Sequence, residues 1–313
     1  MRRSVVRKYL VAALTATAVL AAGCSGPATL GAGSSPTQKS PSDGPSGTGK
    51  PLPSSSTAGH PERAKSPFAS LAGYLSTRPG EVTAAVYDRL TGKIWVFHPG
   101  VREDTASIVK VEIMGTALWQ AQVAGTSLPG TELALMTAMI ENSDNDAATQ
   151  LLADDGGPAK VQAFDEKAGM TGTTVSTQAF IPGSTTLPGW GLTTTTAFDE
   201  VRLVSKFAFP NTLLNRLDRN YGLGLMEHVE ADQAWGVSAG VQPGTTVALK
   251  NGWLPLNLTN DTNWQVDSIG WIHGHGRNYV LAVLSNGNPD EQTGIDTIDA
   301  ISTRIYAELG QKG

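Results

Sequence analysis

Residues 105–120 read TASIVKVEIMGTALWQ and place a serine and a lysine three positions apart where a helix is predicted to begin. Apolar residues recur at helical spacing through about Val123, which is typical of a largely buried helix. Positions i and i+3 are neighbours on a helix surface, and free N–H groups lie at the first turn. Ser107 is therefore the predicted nucleophile, and Lys110 is the amine that accepts its proton if burial lowers the lysine pKa.

The first 24 residues have the composition of an export signal. A basic start is followed by a short apolar core from Tyr9 to Leu20 and by the small residues Ala21-Ala22-Gly23-Cys24. The apolar run is shorter than a transmembrane helix needs. The pattern resembles a bacterial lipoprotein signal, which implies that Cys24 carries the lipid. An ordinary signal followed by a chance cysteine is the alternative. Because Cys24 is the only cysteine, we expect neither a disulfide nor a cysteine-ligated metal.

Composition divides the chain after the signal into two parts. Residues 25–66 are rich in Ser, Gly, Pro and Thr and have almost no bulky apolar side chains, which predicts a flexible tether. Residues 67–313 have the length of one larger domain. The first 65 residues carry a net charge of +6 and the rest carry −11. An acidic domain argues against nucleic-acid binding, whereas a basic leader suits an anionic membrane surface.

Hydrophobic periodicity predicts strands at both ends of the domain and helices between them. Two β-rich runs, 81–88 and 93–98, flank a turn that contains Gly92 and predict an antiparallel hairpin. Further helices are predicted over 131–140, 147–153, 158–168, the segment after Thr196, 213–229 and 290–309, and further strands over 245–250, 265–273 and 278–285. The simplest packing is an α/β (α+β) fold. In it an antiparallel sheet has the terminal helices on one face and a helical subdomain inserted between strands.

Two further motifs follow the serine and lysine. Ser143-Asp144-Asn145 lies on a predicted turn between helices, where its serine and asparagine can face a cleft. Lys250-Asn251-Gly252 places a cation at a strand end, followed by a glycine that lets backbone approach a ligand. Taken alone, each motif is as well explained by ordinary turn chemistry.

The three motifs together, in this order, resemble the serine hydrolases of the class A β-lactamase and penicillin-binding-protein families. The resemblance extends from about Val82 to Leu309 and is greatest to lipid-anchored actinobacterial members. It implies a β-lactamase/transpeptidase-like fold. It also implies that Ser107 is the acylated nucleophile, Lys110 its activating amine and Ser143 a proton shuttle toward the leaving group.

The resemblance also implies the residues that hold the substrate. Asn145 would contact the substrate amide, and Lys250 would anchor a substrate carboxylate. Asn251, Gly252 and Trp253 would line the same side of the cleft. The backbone N–H groups of Ser107 and Trp253 would form an oxyanion hole, in which each donor is typically worth about 3 kcal/mol.

Three departures from the family pattern bear on turnover. Asn251 stands where the family has Thr or Ser, so an amide would take the place of a hydroxyl in contact with the substrate carboxylate. The interval from Ser107 to Ser143 is short, which predicts a reduced helical subdomain. The loop from Ala168 to Phe198 has no Asp or Glu, although the family's deacylating glutamate belongs there.

The missing glutamate leads us to expect slow hydrolysis of any acyl-enzyme, since a positioned base contributes roughly 10²–10⁴-fold. Alignment from Gly169 puts Ala179 in the place of that glutamate. Lys110 could act in both steps, as in carboxypeptidase-like relatives. Asp165 and Glu166 are the nearest acids, and we interpret them as a solvated helix face.

The sequence thus predicts a membrane-tethered serine hydrolase outside the cytoplasmic membrane, acting on a β-lactam or a cell-wall peptide-like amide or ester. A D-alanyl-D-alanine carboxypeptidase or esterase is one alternative, and a non-catalytic lipoprotein that binds cell-wall fragments is another. We expect a monomer with no cofactor. We also expect no metal, because the possible ligands His273 and His275 have no third ligand nearby in the sequence and suit a turn between strands.

Overall fold

An antiparallel sheet of five strands, in the order β2-β1-β7-β6-β5, organises the domain. The computed structural model describes residues 66–260 and 262–310. The predicted signal with Cys24, and the predicted tether up to residue 65, lie outside the described residues. Within the described part, no helix combines the length and the hydropathy that a membrane crossing requires.

The strands come from the two ends of the domain, as the sequence predicts. Their bounds are β1 (Glu81–Asp88), β2 (Lys93–Phe97), β3 (Glu103–Asp104), β4 (Thr194–Thr195), β5 (Thr246–Asn257), β6 (Thr262–Gly274) and β7 (Arg277–Asn288). β1 and β2 form the predicted hairpin. β1 also pairs with β7, so strands from both ends of the domain belong to one sheet. β3 and β4 pair separately and join the segment before Ser107 to the end of the long loop.

Helices cover both faces of the sheet. Their bounds are α1 (Ala72–Leu75), α2 (Lys110–Ala124), α3 (Gly130–Glu141), α4 (Asn145–Asp154), α5 (Pro158–Ala168), α6 (Ala197–Ala208), α7 (Arg216–Met226) and α8 (Glu291–Leu309). α1 and α8 lie on one face over an apolar core that includes Leu281 and Ile301. α2 to α7 form the inserted helical subdomain on the other face, with a core that includes Ile113 and Leu284. The predicted α+β arrangement is confirmed.

Local capping residues explain several helix ends. α5 begins with Pro158 in its first turn and ends at Gly169, whose φ of 87° is easy only for glycine. Thr196 accepts a hydrogen bond from the Asp199 N–H at 3.1 Å and so begins α6. Asp290 does the same for α8 with the Thr293 N–H at 2.7 Å.

Three predicted elements differ from the observed ones. The strand predicted to end before Asn251-Gly252 continues to Asn257, because β5 is an edge strand and can contain Pro255 without losing a ladder hydrogen bond. The helix predicted over 213–229 covers only Arg216–Met226, since Asn215 caps it. The turn that holds the predicted nucleophile is a 3-10 helix, Ala106–Val109, and α2 begins after it.

Candidate active site

Ser107 lies on the 3-10 turn that leads into α2. The residue before it, Ala106, has a left-handed φ of 43°, a strained conformation for a residue with a side chain. The turn is fixed from outside, because the Thr105 N–H donates to the Thr193 carbonyl at 2.8 Å. The backbone therefore holds Ser107 in one orientation.

Lys110 is fully buried beside Ser107 and Ser143. Its Nζ lies 3.0 Å from the Oγ of each serine, 2.7 Å from the Ser143 carbonyl oxygen and 2.8 Å from Asn145 Oδ1. Burial, with the nearby charge of Lys250, lowers the Lys110 pKa well below its usual range. A neutral amine can donate its two hydrogens to the two carbonyl oxygens, which only accept. Its lone pair is then free to accept a serine proton.

Ser143 and Asn145 reach Lys110 from the turn between α3 and α4. Ser143 adopts a left-handed φ of 55°, which turns the chain sharply after α3. Asp144 caps α4 by accepting a hydrogen bond from the Ala147 N–H at 2.7 Å. In this motif Asp144 caps the helix, while the side chains of Ser143 and Asn145 both contact the Lys110 amine.

Lys250 approaches the same serine from β5. It is fully buried, and its Nζ donates to Ser143 Oγ at 3.0 Å and to the Asn251 carbonyl oxygen at 3.1 Å. Burial lowers the Lys250 pKa to about 7. Ser143 Oγ thus lies between two amines, which suits a hydroxyl that passes a proton in either direction.

Gly252 is where β5 comes closest to the nucleophile. A Cβ at this position would lie 2.7 Å from the Ser107 nitrogen and 2.8 Å from the Thr105 carbonyl oxygen. No other residue type fits without moving one of these backbones, so the glycine is needed for close approach.

We predict that Gly252→Ala lowers the rate of Ser107 acylation by roughly 10²-fold, because displacing reacting groups by about 1 Å has that effect. The measurement is the second-order rate of labelling with a fluorescent penicillin. Gly224→Ala is the matched control, since a Cβ there meets nothing within 4 Å. Labelling of Gly252→Ala at the rate of the control would show that the close approach is unimportant.

Asn251 does not lie where the sequence predicts, and the expected contact of its amide with a substrate carboxylate is corrected. The side chain is 1% exposed, and its Nδ2 donates to the carbonyl oxygens of Gln233 at 2.7 Å and Trp235 at 3.1 Å. Alternation along β5 places it on the opposite face from Lys250 and Gly252. Its observed contacts are with the segment before β5.

Trp253 follows Gly252 and is half-buried. Its ring lies 6.0 Å from that of Trp235 at an interplanar angle of 57°, an arrangement that aromatic pairs favour. The alternation that turns Asn251 away from Lys250 places the Trp253 ring on that same far face, where it packs against the core beneath α8, so the prediction that this ring forms a wall of the cleft is corrected. Of the remaining predicted residues, Ser107 and Ser143 are half-buried and Asn145 is exposed, so a small molecule can reach this group.

A tryptophan that the sequence analysis missed comes from the long loop. Trp190 lies on the 3-10 helix Gly189–Leu192, is 6% exposed, and has its ring centroid 5.0 Å from Lys110 Nζ. Ala179, which alignment puts in the place of the family glutamate, is exposed. The loop thus places an aromatic ring over the lysine, and no local pattern in the sequence indicates this position.

The interpretation of Asp165 and Glu166 as a solvated face holds for Glu166, which is exposed, and is wrong for Asp165, which is fully buried. Asp165 lies with Glu112 and Glu200, and we name these three residues the acid cluster. Burial and the charges of the other two raise the Glu112 pKa well above its usual range. Burial is the main cause that raises the pKa values of Asp165 and Glu200 to about 8.

The acid cluster is not a substitute base in contact with Lys110. The hydrogen-bond partners of Lys110 Nζ are the two serine hydroxyls, the Ser143 carbonyl oxygen and Asn145 Oδ1, none of which belongs to the acid cluster. Among the described residues, no group of three or more His, Cys, Asp or Glu has an arrangement that could hold a metal ion. The predicted metal candidates His273 and His275 instead stack on Trp271 and contact the Pro243 carbonyl oxygen, respectively.

A small apolar cluster lies on the other side of the nucleophile. Ala106, Ile181 and Leu254 are buried together, and the half-buried side chains that pack on them are Leu187, Leu192, Leu256 and Leu258. It joins the long loop to the continuation of β5 beyond Gly252. The residue before Ser107 is therefore packed in an apolar environment.

Comparison with known proteins gives one family. The sequence model of the beta-lactamase enzyme family matches residues 124–309. No curated protein sequence matches the chain.

Three solved structures illustrate the likeness in fold. The TLA-1 extended-spectrum β-lactamase has 19% identity and a TM-score of 0.68, covering 78% of this chain and 98% of its own. A class A β-lactamase from Bacteroides cellulosilyticus DSM 14838 has 15% identity and a TM-score of 0.68, covering 79% and 98%. PBP-A has 18% identity and a TM-score of 0.65, covering 77% and 94%.

Proposed function

Because the chain belongs to the beta-lactamase enzyme family and is a serine hydrolase of that fold, we propose that it forms an acyl-enzyme on Ser107 and releases the acyl group slowly. The substrate is a β-lactam or a cell-wall peptide-like amide or ester. One observation carries the proposal: a buried amine, that of Lys110, lies 3.0 Å from the hydroxyls of both Ser107 and Ser143.

Acylation follows from this arrangement. The neutral Lys110 amine accepts the Ser107 proton while Oγ attacks the substrate carbonyl carbon. The backbone N–H groups of Ser107 and Trp253 stabilise the negative oxygen that forms. The proton then passes from Lys110 through Ser143 to the leaving nitrogen or oxygen, the bond to the leaving group breaks, and the acyl group stays on Ser107.

Slow release is supported by what the long loop lacks and by what it contains. Residues 168–198 include no Asp or Glu, so no loop carboxylate can activate water. The loop residue over Lys110 is Trp190, which is not a base. Without a base beyond Lys110, hydrolysis loses part of the roughly 10²–10⁴-fold that a positioned base contributes.

Of the two alternatives, the esterase is favoured over the carboxypeptidase, because a carboxypeptidase substrate ends in a carboxylate and the site provides only a weak anchor for one. Lys250 is fully buried with a pKa lowered to about 7, and the Asn251 amide donates to backbone. Both features weaken an anchor for a substrate carboxylate.

We further propose that the enzyme acts outside the cytoplasmic membrane, anchored by lipid on Cys24 and separated from the bilayer by residues 25–66. The support is the lipoprotein-like signal and the composition of the tether. An enzyme held in this way would meet cell-wall peptides at a high effective concentration.

The test is labelling of the purified domain with a fluorescent penicillin and with a fluorophosphonate, compared with Ser107→Ala. We expect stoichiometric penicillin labelling that requires Ser107. Ser107-dependent labelling by the fluorophosphonate alone would favour the esterase. Labelling by neither reagent would leave a non-catalytic protein that binds cell-wall fragments, and would overturn the proposal.

The Lys250 pKa gives a pH prediction. Below pH 7 Lys250 is an ammonium that attracts a carboxylate, and above pH 7 it becomes neutral, since its pKa is lowered to about 7. The ratio of acylation rates for a penicillin and for an uncharged ester should therefore fall by up to about tenfold per pH unit above pH 7. Both acylation rates depend equally on the protonation of Lys110, so this dependence cancels in their ratio. A constant ratio from pH 6 to 9 would exclude Lys250 as the carboxylate anchor.

A further inference from the structure

Trp190 covers the side of Lys110 that faces the long loop. Its ring centroid is 5.0 Å from Lys110 Nζ, and the side chain is 6% exposed. Its Nε1 donates to Thr149 Oγ1 at 3.1 Å, which fixes the direction of the ring. Thr149 in turn donates to the Asn145 carbonyl oxygen at 2.9 Å. The indole is thus tied to the turn that supplies the other contacts of Lys110.

The backbone on both sides of Trp190 leaves the ring little freedom. The Gly189 N–H donates to the Ala179 carbonyl at 3.0 Å, and a Cβ on Gly189 would lie 2.3 Å from the Gln178 carbonyl oxygen. On the other side, a Cβ on Gly191 would lie 3.6 Å from the Ala106 Cα. The loop is therefore packed closely against itself and against the nucleophile turn, and Trp190 lies between them.

The amine of Lys110 is enclosed as a result. Two serine hydroxyls, one backbone carbonyl and the Asn145 amide contact Nζ, and the Trp190 indole of the long loop lies against it as well. The side chain of Lys110 is 0% exposed. A base must lie within hydrogen-bond reach of the water that it activates, and a water on the loop side would occupy the position of the ring.

Deacylation needs such a water. Its oxygen would bond to the acyl carbon while its proton passes to the Lys110 amine. The bond between the acyl carbon and Ser107 Oγ would then break, and Oγ would take the proton back. This step resembles the reverse of acylation, with water in place of the original leaving group. It therefore requires a water placed beside Lys110.

We propose that Trp190 is a positioning residue that keeps water away from Lys110 and thereby sets the lifetime of the acyl-enzyme. The inference rests on the proposed function. It adds a second cause of slow deacylation to the lack of a carboxylate in the long loop. Whether the acyl-enzyme persists or is hydrolysed then depends on this one loop residue.

The first measurement is the decay of the penicillin adduct in wild type, Trp190→Phe and Trp190→Ala. We expect the alanine variant to lose its adduct roughly 10- to 100-fold faster, part of what a functioning base contributes, and the phenylalanine variant to stay near wild type. Trp119→Ala is the matched control, because Trp119 also lies under a lysine, Lys167, at 5.5 Å. Equal lifetimes in all four proteins would overturn the proposal.

The second measurement needs no acylation and separates this inference from the proposed function. Reductive methylation with formaldehyde and borohydride, read by peptide mass, should leave Lys110 unmodified in wild type and Trp190→Phe and should modify it in Trp190→Ala. Lys250 is the internal control and should stay unmodified in each, since it is covered by other residues. If no adduct forms in wild type, the proposed function fails and methylation alone decides. Equal methylation of Lys110 in wild type and Trp190→Ala would overturn the inference.

Discussion

Replacing Lys110 by methionine should lower the rate of Ser107 acylation by roughly 10³–10⁴-fold, toward the upper range for a general base. Methionine fills the buried space but cannot accept a proton. The amine is the group within 3.0 Å of both Ser107 and Ser143, so its loss removes both the proton acceptor and the relay. The measurement is the second-order rate of labelling by a fluorescent penicillin.

Two controls separate this chemical loss from unfolding. Lys160→Met removes an exposed lysine and should label at the wild-type rate. Thermal unfolding of Lys110→Met reports whether the variant is folded and whether loss of the contacts with the Ser143 carbonyl and the Asn145 amide destabilises the site. Acylation of folded Lys110→Met within threefold of wild type would show that Lys110 is not the base.

The second large effect is on stability, and it comes from the acid cluster. Asp165 and Glu200 have pKa values raised from 3.8 and 4.5 to about 8, mainly by burial. The folded state therefore holds protons that the unfolded state releases above about pH 4–5. Stability that these groups contribute is fully present below the unfolded pKa and is lost as pH rises through the folded pKa. From pH 5 to 7 the free energy of unfolding should fall by about 1.4 kcal/mol per pH unit for each such carboxyl.

Other buried carboxyls act in the same direction, whereas Lys110, with its pKa lowered well below the usual range, opposes the decline wherever it is neutral in the folded state. Glu103 and Asp155 have pKa values raised to about 7, mainly by burial, and add to the decline. Lys250, with its pKa lowered to about 7, is protonated in both states below that pH and begins to oppose the decline only above it. The difference in urea unfolding between matched carboxyl variants from pH 5 to 7 therefore isolates the carboxyl contribution, because Lys110 is common to both.

The matched variants for this prediction differ at adjacent residues. Asp165→Asn should flatten the dependence of the unfolding free energy on pH, because the buried amide cannot ionise. Glu166→Gln changes the exposed neighbour and should leave the slope of wild type unchanged. Stability that rises from pH 5 to 7, or equal slopes in the two variants, would contradict the protonated acid cluster.

The fold was predictable because its elements are marked by local sequence. The β1–β2 hairpin follows from two β-rich runs around Gly92, and α5 follows from Pro158 at its start and Gly169 at its end. The extension of β5 was missed, since Gly252 and Pro255 read as breakers. Only the edge position of the strand makes them acceptable.

The site was predictable where the motifs themselves bring residues together. Lys110 follows Ser107 by three residues, so helical geometry alone makes them neighbours. The face of β5 on which Asn251 lies depends on where the strand meets Ser107, and the sequence does not show that contact. Trp190 and Asp165 depend on tertiary packing of a long loop and of three helices, for which their neighbours in sequence give no local signal.

The most direct test of the account is a chase of the acyl-enzyme. The purified domain is incubated with benzylpenicillin, free drug is removed, and the intact mass is followed while nitrocefin hydrolysis is measured in parallel. We expect one adduct per molecule, located on the peptide that contains Ser107, which persists through the chase while nitrocefin hydrolysis stays slow. Rapid nitrocefin hydrolysis without an accumulated adduct, or an adduct on any other residue, would contradict the account.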